Sequence, residues 1–149
     1  MSFLGKVKKK LRNGSWYPFY NTFYEKNNLD PHMILLESRS GKALESNILS
    51  LLKELCQEPY RSFTLVRSVH RDSENEIKEK LQKNSIQGVH FVRTGSVAYY
   101  HALSRAGYLV NDTSFPGRFI KKEGQIYLNT WHGTPLKKMG RDNRPEMVT

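Results

Sequence analysis

Residues 125–140 read Gln-Ile-Tyr-Leu-Asn-Thr-Trp-His-Gly-Thr-Pro-Leu-Lys-Lys-Met-Gly, a run in which a predicted strand passes directly into a turn. The strand is predicted because Ile126 and Leu128 alternate with the side chains between them. The turn follows because Gly133 permits unusual backbone angles and Pro135 cannot continue a ladder of hydrogen bonds. The chain therefore presents a short polar segment at the end of a strand.

A histidine, His132, stands at this junction, between Trp131 and the flexible Gly133. With Lys137 and Lys138 a few residues further on, such a histidine can accept a proton beside a bound phosphate group. The alternative is that the imidazole only satisfies a local hydrogen bond at the strand end. Spacing alone does not choose between these two interpretations.

The composition is that of a globular chain with a strongly basic character. Its 149 residues are 38% hydrophobic and 26% charged, enough for one domain with a core of its own. No run approaches the roughly 18 apolar residues that cross a bilayer, and the N-terminal lysines are interleaved with apolar residues, unlike a signal peptide. The net charge of +10 favours an anionic partner: a nucleic acid, an anionic membrane or a phosphate-rich substrate.

No residue pattern predicts a metal site or a cofactor site. The single cysteine, Cys56, cannot form an internal disulfide, which fits a cytosolic location. No Cys/His cluster has the spacing of a zinc site. Neither a Gly-x-Gly-x-x-Gly fingerprint nor a P-loop is present, so a nucleotide site within this domain has no motif support. We therefore expect a domain without a cofactor or a metal ion.

A basic amphipathic helix is predicted for residues 2–12, whose apolar residues follow helical spacing. Its five cations, with no acidic residue among them, are Lys6, Lys8, Lys9, Lys10 and Arg12. This pattern suits a helix lying on an anionic membrane surface, and equally a solvated helix packed on its own domain. Six aromatic residues follow between positions 16 and 24, and their default interpretation is a packing wedge.

From Pro31 onward, strands and helices alternate along the sequence. Short apolar runs predict strands at residues 33–36, 63–69, 89–92 and 108–110, before the strand that opens the 125–140 stretch. Helices are predicted between them, at residues 43–56, 73–84 and 97–106. This order implies a parallel, Rossmann-like α/β sheet with helices on both faces. The polar loops 37–41, 111–117 and 131–138 then meet at the carboxyl edge of the sheet, where ligands bind.

Local signals predict where the helices begin and end. Ser73 and Glu76 have the spacing of a capping box, in which each side chain satisfies the other residue's backbone N–H group. Ser96 is expected to cap the helix that follows it, and Gly107 to end that helix. An edge segment is expected to begin at Phe119.

Three blocks of the sequence resemble one protein family. Residues 127–140 look like the signature of the CDP-glycerol glycerophosphotransferases, the teichoic acid primases and polymerases. The family's first strand, loop and helix are similar to a block with Glu37, Ser38, Gly41 and Asn47. The segment just before the Trp-His-Gly-Thr run resembles residues 108–119, with Asn111, Asp112, Pro116 and Phe119. The resemblance covers about residues 33–140 and is most specific in the Trp-His-Gly-Thr-Pro-Leu-Lys-Lys run.

The resemblance implies the N-terminal half of a GT-B glycosyltransferase-type fold, which is built from two Rossmann-like domains. Such enzymes move glycerol phosphate, or ribitol phosphate in some relatives, from CDP-glycerol or CDP-ribitol to a polyprenol-linked acceptor. They work at the cytoplasmic face of the plasma membrane, as peripheral proteins. The acceptor hydroxyl loses its proton while it attacks the β-phosphate, and CMP leaves. The family's motif histidine, here His132, is then the candidate general base.

The other candidate site residues rest on the same resemblance. Lys137, Lys138 and the backbone N–H groups around Gly133 are expected to stabilise charge on the phosphate oxygens, with a solvated charge pair as the alternative for the lysines. Thr134 is expected to orient His132 or the phosphate. Three residues near strand ends are expected to bind substrate or phosphate, with loop capping as the alternative: Glu37, Ser38 and Asn111.

The implied organisation has three parts. Residues 1–30 form a membrane contact, residues 31–140 the acceptor-side domain, and residues 141–149 a linker to a donor domain that this sequence does not contain. We expect a chain without that domain to turn over little or no CDP-glycerol. The alternative is a non-catalytic module that binds lipid-linked polymer or a partner subunit. Nucleic-acid binding is not expected, since no helix-turn-helix, RRM or KH signature accompanies the charge.

Overall fold

The computed structural model describes residues 17–117 and 119–131, without the side chains of residues 17–19 and 46. Five strands in these ranges form one sheet: β1 (Asp30–Glu37), β2 (Thr64–Val69), β3 (Val89–Arg93), β4 (Ala106–Asn111) and β5 (Ile126–Asn129). The helices described are α1 (Tyr17–Lys26), α2 (Ser46–Leu55), α3 (Glu74–Lys83) and α4 (Val97–Arg105). The strand order is β3-β2-β1-β4-β5, and every neighbouring pair is parallel. The predicted parallel α/β sheet is therefore confirmed.

Helices cover both faces of this sheet. On one face, Ile48 of α2 and Leu81 of α3 belong to a cluster of buried side chains that includes Ile34 of β1. On the other face, Tyr20 of α1 and Leu103 of α4 pack in a second cluster. Full burial of an aliphatic side chain contributes about 1.5–3 kcal/mol to the stability of the fold. The two clusters therefore stabilise an arrangement in which the sheet is the middle layer between helices. The strand ends, rather than the sheet faces, are then available for a functional site.

The aromatic segment near the N-terminus packs on the domain, as predicted. Its residues from 17 onward form α1, a helix that the sequence pattern did not indicate. Tyr20 is 2% exposed, and its hydroxyl donates a hydrogen bond of 2.6 Å to the carbonyl oxygen of Ile120. Phe23 meets the imidazole of His101 on α4 edge to face. No helix in the described ranges is long and apolar enough to cross a membrane.

Two of the local predictions need correction. Ser73 precedes α3 but makes no capping hydrogen bond, because it ends a 3-10 turn (Arg71–Ser73) and its φ of −112° and ψ of 2° lie outside the extended region of an N-cap residue. Gly107 does not end α4: the helix passes at residue 106 directly into β4, where a Cβ on Gly107 would lie 2.7 Å from the Asp30 carbonyl oxygen. The glycine is needed for close strand packing instead.

Two further expectations concern the ends of α4 and the last strand. Ser96 caps α4 as predicted, since its hydroxyl accepts a hydrogen bond of 3.1 Å from the Tyr99 backbone N–H group. The edge segment expected at Phe119 is not a strand in the structure, and the Phe119 ring packs against Phe115 and Tyr127. β5 itself is the edge strand, and it pairs with β4. The strand predicted there is therefore confirmed, although Ile126 and Leu128 are exposed rather than buried.

Candidate active site

The carboxyl ends of three neighbouring strands bring polar side chains together. Glu37 ends β1, Asn111 ends β4 and Asn129 ends β5. The strand register places Glu37 opposite Asn111, and Asn111 opposite Asn129. The sequence pattern indicated loops at Glu37 and Asn111, but both are paired strand residues and are 1% and 0% exposed. The predicted meeting of the polar segments at this edge is confirmed for the described residues.

The loop after β1 is anchored by one aspartate. Asp112 accepts a short hydrogen bond from the hydroxyl of Ser38, and its Oδ1 accepts another from the Arg39 backbone N–H group at 2.9 Å. Arg39 and Ser40 have φ values of 48° and 54°, in the left-handed region that L-residues other than glycine rarely occupy. The fixed carboxylate therefore holds a strained loop in place, a contact between two blocks that the sequence analysis considered separately.

Gly41 completes this loop and joins it to the next strands. Its φ is 81°, and its carbonyl oxygen accepts a hydrogen bond of 2.7 Å from the backbone N–H group of His70. A Cβ at this position would overlap the Thr94 hydroxyl and lie 2.7 Å from the His70 nitrogen. Only glycine combines this backbone angle with such a close approach. The loop after β1 is therefore pressed against the ends of β2 and β3.

A buried carboxylate lies beneath the loop. Glu37 Oε2 accepts a hydrogen bond of 2.8 Å from the Ser68 hydroxyl on β2. Burial raises the pKa of Glu37 above the ordinary value of a carboxyl group, and the nearby Ser68, Tyr99 and Arg67 oppose this rise. The Tyr99 hydroxyl lies near this carboxylate without making a hydrogen bond of ordinary geometry, and burial raises its pKa well above the usual value. The Glu37 carboxylate is thus already engaged by neighbouring groups of the protein.

Arg67 lies fully buried in β2, and its guanidinium donates hydrogen bonds to three backbone carbonyl oxygens. Its Nη1 donates to the carbonyl oxygens of Leu36 at 3.2 Å and Ser68 at 2.7 Å. Its Nη2 donates to that of Ala43 at 2.5 Å. Burial lowers the pKa of Arg67 to about 10, while Glu37 acts in the opposite direction, so the guanidinium stays charged at neutral pH. Arg67 is not among the residues predicted from the sequence, although an arginine inside the strand Thr-Leu-Val-Arg-Ser-Val was a usable signal.

A relay of side-chain hydrogen bonds crosses the ends of β4 and β5. Asn129 Nδ2 donates to the Tyr127 hydroxyl at 3.3 Å, and that hydroxyl donates to Asn111 Oδ1 at 2.9 Å. The relay orients the Asn111 amide so that its Nδ2 group faces away from Tyr127. This buried Nδ2 has no hydrogen-bond partner in the part of the chain that the structure describes. Asn111 is therefore a pre-oriented donor at the carboxyl edge.

The chain leaves β5 through a tightly held turn. The backbone N–H group of Thr130 donates to the Asn111 carbonyl oxygen at 2.8 Å, and that of Trp131 donates to Asn129 Oδ1 at 2.8 Å. Trp131 has a φ of 54°, again in the left-handed region. From α2, Asn47 Nδ2 donates to the carbonyl oxygens of Trp131 at 3.2 Å and Thr130 at 3.4 Å. Hydrogen bonds to the backbone N–H group and to the carbonyl oxygen of Trp131 thus fix the backbone orientation of this residue.

The remaining predicted site residues lie outside the described residues. At the motif these are His132, Gly133, Thr134, Lys137 and Lys138, and near the N-terminus Lys6, Lys8, Lys9, Lys10 and Arg12. Their roles stay predictions. Within the described ranges, no group of three His, Cys, Asp or Glu side chains is arranged to hold a metal ion.

Comparison with known proteins identifies the family. The profile of the CDP-Glycerol:Poly(glycerophosphate) glycerophosphotransferase family matches residues 19–149. The teichoic acid poly(glycerol phosphate) polymerase of Staphylococcus epidermidis is 31% identical over 123 residues, 83% of this chain and 16% of the relative. The teichoic acid glycerol-phosphate transferase of Staphylococcus aureus is 28% identical over 137 residues, 91% of this chain and 33% of the relative.

Solved structures agree with these sequence relatives. A variant of the wall teichoic acid polymerase TagF soaked with CDPG for 30 minutes has a TM-score of 0.67 and 25% identity, covering 100% of this chain and 37% of TagF. A second TagF variant has a TM-score of 0.65 and 28% identity, covering 95% of this chain and 33% of TagF. The predicted Rossmann-like fold of GT-B type is confirmed. The chain spans only 16% and 33% of the lengths of the two sequence relatives. It belongs to the CDP-glycerol:poly(glycerophosphate) glycerophosphotransferase family, whose members are transferases of teichoic acid biosynthesis.

Proposed function

We propose that this chain is the acceptor-side part of an enzyme that transfers glycerol phosphate from CDP-glycerol to a polyprenol-linked acceptor and releases CMP. One observation carries the proposal: the family's Trp-His-Gly-Thr run begins where β5 ends, at the carboxyl edge of the sheet. Ligands of parallel α/β sheets bind at that edge. The CDPG soak of TagF and the glycerol phosphate named in both relatives favour CDP-glycerol over CDP-ribitol.

The proposed reaction is a substitution at phosphorus. An acceptor hydroxyl oxygen bonds to the β-phosphorus of CDP-glycerol, the bond from that phosphorus to the bridging oxygen breaks, and CMP leaves. The proton of the hydroxyl passes to His132, which follows Trp131 directly in the sequence. Negative charge develops on the phosphate oxygens during this step. Lys137, Lys138 and backbone N–H groups near Gly133 follow His132 closely in the sequence, and we expect them to stabilise this charge.

The test uses the protein at the length that its own cells make. It is incubated with CDP-glycerol and a lipid-linked acceptor, and CMP is measured with and without the acceptor and with CDP-ribitol as the comparison donor. We expect acceptor-dependent CMP release that is faster with CDP-glycerol. CMP at the level of a protein-free blank would contradict the proposal. Binding of the lipid-linked acceptor without CMP release would instead support a non-catalytic binding module.

We also propose that the protein works as a peripheral protein at the cytoplasmic face of the plasma membrane. The proposal rests on the net charge of +10 and on the run of cations at residues 6–12. Co-sedimentation should show binding to anionic vesicles that weakens as salt is added. Neutral vesicles are the control.

Matched variants test whether the N-terminal cations carry this binding. Changing the five cations to glutamine should abolish co-sedimentation with anionic vesicles: Lys6, Lys8, Lys9, Lys10 and Arg12. The same change at five exposed cations elsewhere should not: Lys26, Lys42, Lys53, Arg71 and Lys83. Equal binding to anionic and neutral vesicles would refute the membrane proposal.

A further inference from the structure

We propose that Asn47 is a positioning residue that sets the direction in which the chain enters the motif at His132. The inference rests on the proposed function, because it assigns a role relative to the proposed general base. It concerns a side chain on α2, more than eighty residues away in sequence from the turn that it contacts.

The contact is made by the donor end of the Asn47 amide. Nδ2 reaches the carbonyl oxygens of both Thr130 and Trp131, at 3.4 Å and 3.2 Å. An asparagine that only capped the start of a helix would use its oxygen to accept from a backbone N–H group. Here the residue at the cap position of α2 is Glu45, and Asn47 is the second residue of the helix. Its donor contacts therefore serve the turn after β5 and not the helix.

Asn47 is held by a rigid element. Its neighbour Ile48 and, one turn further on, Leu52 are both 0% exposed and pack in the core of the α2 face. The backbone N–H group of Glu45 donates to the Ser38 hydroxyl at 3.2 Å, which links the start of α2 to the anchored loop after β1. A side chain on such a support can hold a partner more accurately than one on a loop.

The turn that Asn47 holds has an uncommon backbone conformation. Trp131 lies at a φ of 54°, which must be maintained by its surroundings. The N–H side of the turn is held by Asn129 Oδ1 and the Asn111 carbonyl oxygen. Asn47 holds the carbonyl side. The N–H contacts orient the peptide groups on the N-terminal side of Trp131, and the Asn47 contact orients the peptide group that carries the Trp131 carbonyl oxygen.

That orientation reaches the next residue through covalent geometry. The peptide group is planar, so the Trp131 carbonyl oxygen and the nitrogen and Cα of His132 share one plane. A hydrogen bond that fixes the carbonyl oxygen also fixes this plane. A displacement of about 1 Å at a reacting group can lower a rate about 100-fold, so the plane matters for a general base.

The chain offers a closely matched control. Asn75 is the second residue of α3, as Asn47 is of α2, and its side chain is exposed. We therefore compare Asn47→Asp and Asn47→Ala with Asn75→Asp, all in the protein at its natural length. Aspartate keeps the shape of asparagine but replaces the amide donor by an oxygen that the two carbonyl oxygens repel.

The readouts are kcat and KM for CDP-glycerol and the pH profile of kcat. We expect both Asn47 variants to lower kcat by about 10- to 100-fold while KM changes by less than about twofold. In Asn47→Asp alone, the added carboxylate favours the protonated imidazole, so the acid limb of the profile should move to higher pH. Asn75→Asp should match the wild type in all three quantities.

The outcomes separate this inference from the proposed function. Wild-type protein without CMP release would overturn both. Active wild type with unchanged kcat in Asn47→Ala would overturn the inference alone. Loss of kcat in both Asn47 variants without a shifted acid limb in Asn47→Asp would indicate a merely structural role and also overturn it. If Asn47→Asp does not fold, the split between kcat and KM in Asn47→Ala decides.

Discussion

Replacing His132 by alanine should lower kcat for CMP release by about 100- to 10,000-fold, the range of a lost general base. The acceptor hydroxyl then has no group to take its proton as the bond to phosphorus forms. KM for CDP-glycerol should change little, because a proton acceptor acts in the transition state and not in ground-state binding. Steady-state CMP release by the natural-length protein measures both quantities.

The matched control is His90→Ala. This histidine lies on β3 and is exposed, far along the sheet from β5 in the strand order. It should keep wild-type kcat. In the wild type, kcat should fall as pH drops below the usual histidine pKa of about 6.5, and this limb should be absent from the residual activity of His132→Ala. Full activity in His132→Ala would show that another group takes the proton.

Glu37 is a poor substitute for that role. Its carboxylate is 1% exposed, accepts from Ser68 and lies beneath the loop after β1. A general base must come within hydrogen-bond reach of the proton that it removes. Among the described site residues, the half-buried turn after β5 is better placed than Glu37 to meet a substrate at the edge. The motif histidine remains the stronger candidate.

Much of the fold follows from local patterns. Alternating apolar residues predicted β5, and helical spacing predicted a helix at residues 43–56, where the structure has α2. Ser96 caps α4 as its position indicates. These features depend on residues within a few positions of each other, so the sequence shows them directly. Their order then implies the parallel sheet, because helices between strands favour parallel crossovers.

The errors have physical causes that residue spacing does not show. Ser73 has the spacing of a capping residue, but it ends a 3-10 turn with a ψ of 2°, so the reciprocal cap does not form. Gly107 looks like a helix stop, yet the close approach of the Asp30 backbone requires a glycine inside β4. No local sequence pattern indicates which strand will lie next to a given residue.

The candidate site likewise contains some residues that could be predicted from the sequence and some contacts that could not. Residue types at strand ends predicted that Glu37, Ser38 and Asn111 would meet, because the carboxyl ends of parallel strands lie at one edge. Their partners were not predictable: Asp112 holds Ser38 from 74 residues away, and Asn47 holds the turn after β5 from α2. Long-range hydrogen bonds of this kind depend on the finished packing. They decide which polar groups stay available to a substrate.

The largest effect on stability is expected from Arg67→Met. Methionine fills a similar volume but leaves the carbonyl oxygens of Leu36, Ser68 and Ala43 without their buried donor. It also removes the buried positive charge that lowers the pKa of Glu37. Breaking a buried charged network by removing one partner costs about 3–5 kcal/mol of the free energy of unfolding. The protein should therefore become markedly less stable, or fail to accumulate.

Hydrogen exchange of the β1 and β2 amides measures this loss in a protein of any length, because it reports the free energy of local and global opening. At tenfold per 1.4 kcal/mol, exchange should accelerate more than about 100-fold in Arg67→Met. Arg71→Met is the control, since Arg71 is exposed at the start of the turn before α3. It should leave exchange within about twofold, as surface changes usually do.

A second substitution tests the physical reason. If the uncompensated carboxylate contributes to the loss, Glu37→Gln should be less damaging in the Arg67→Met background than in the wild type, where it removes the negative charge that interacts with the Arg67 guanidinium. The pKa of Glu37 is already raised by burial, and without the guanidinium it should rise further. Arg67→Met should then be least harmful at acidic pH, where Glu37 is protonated and neutral. Exchange rates equal to those of the wild type across that range would show that Arg67 does not support the site.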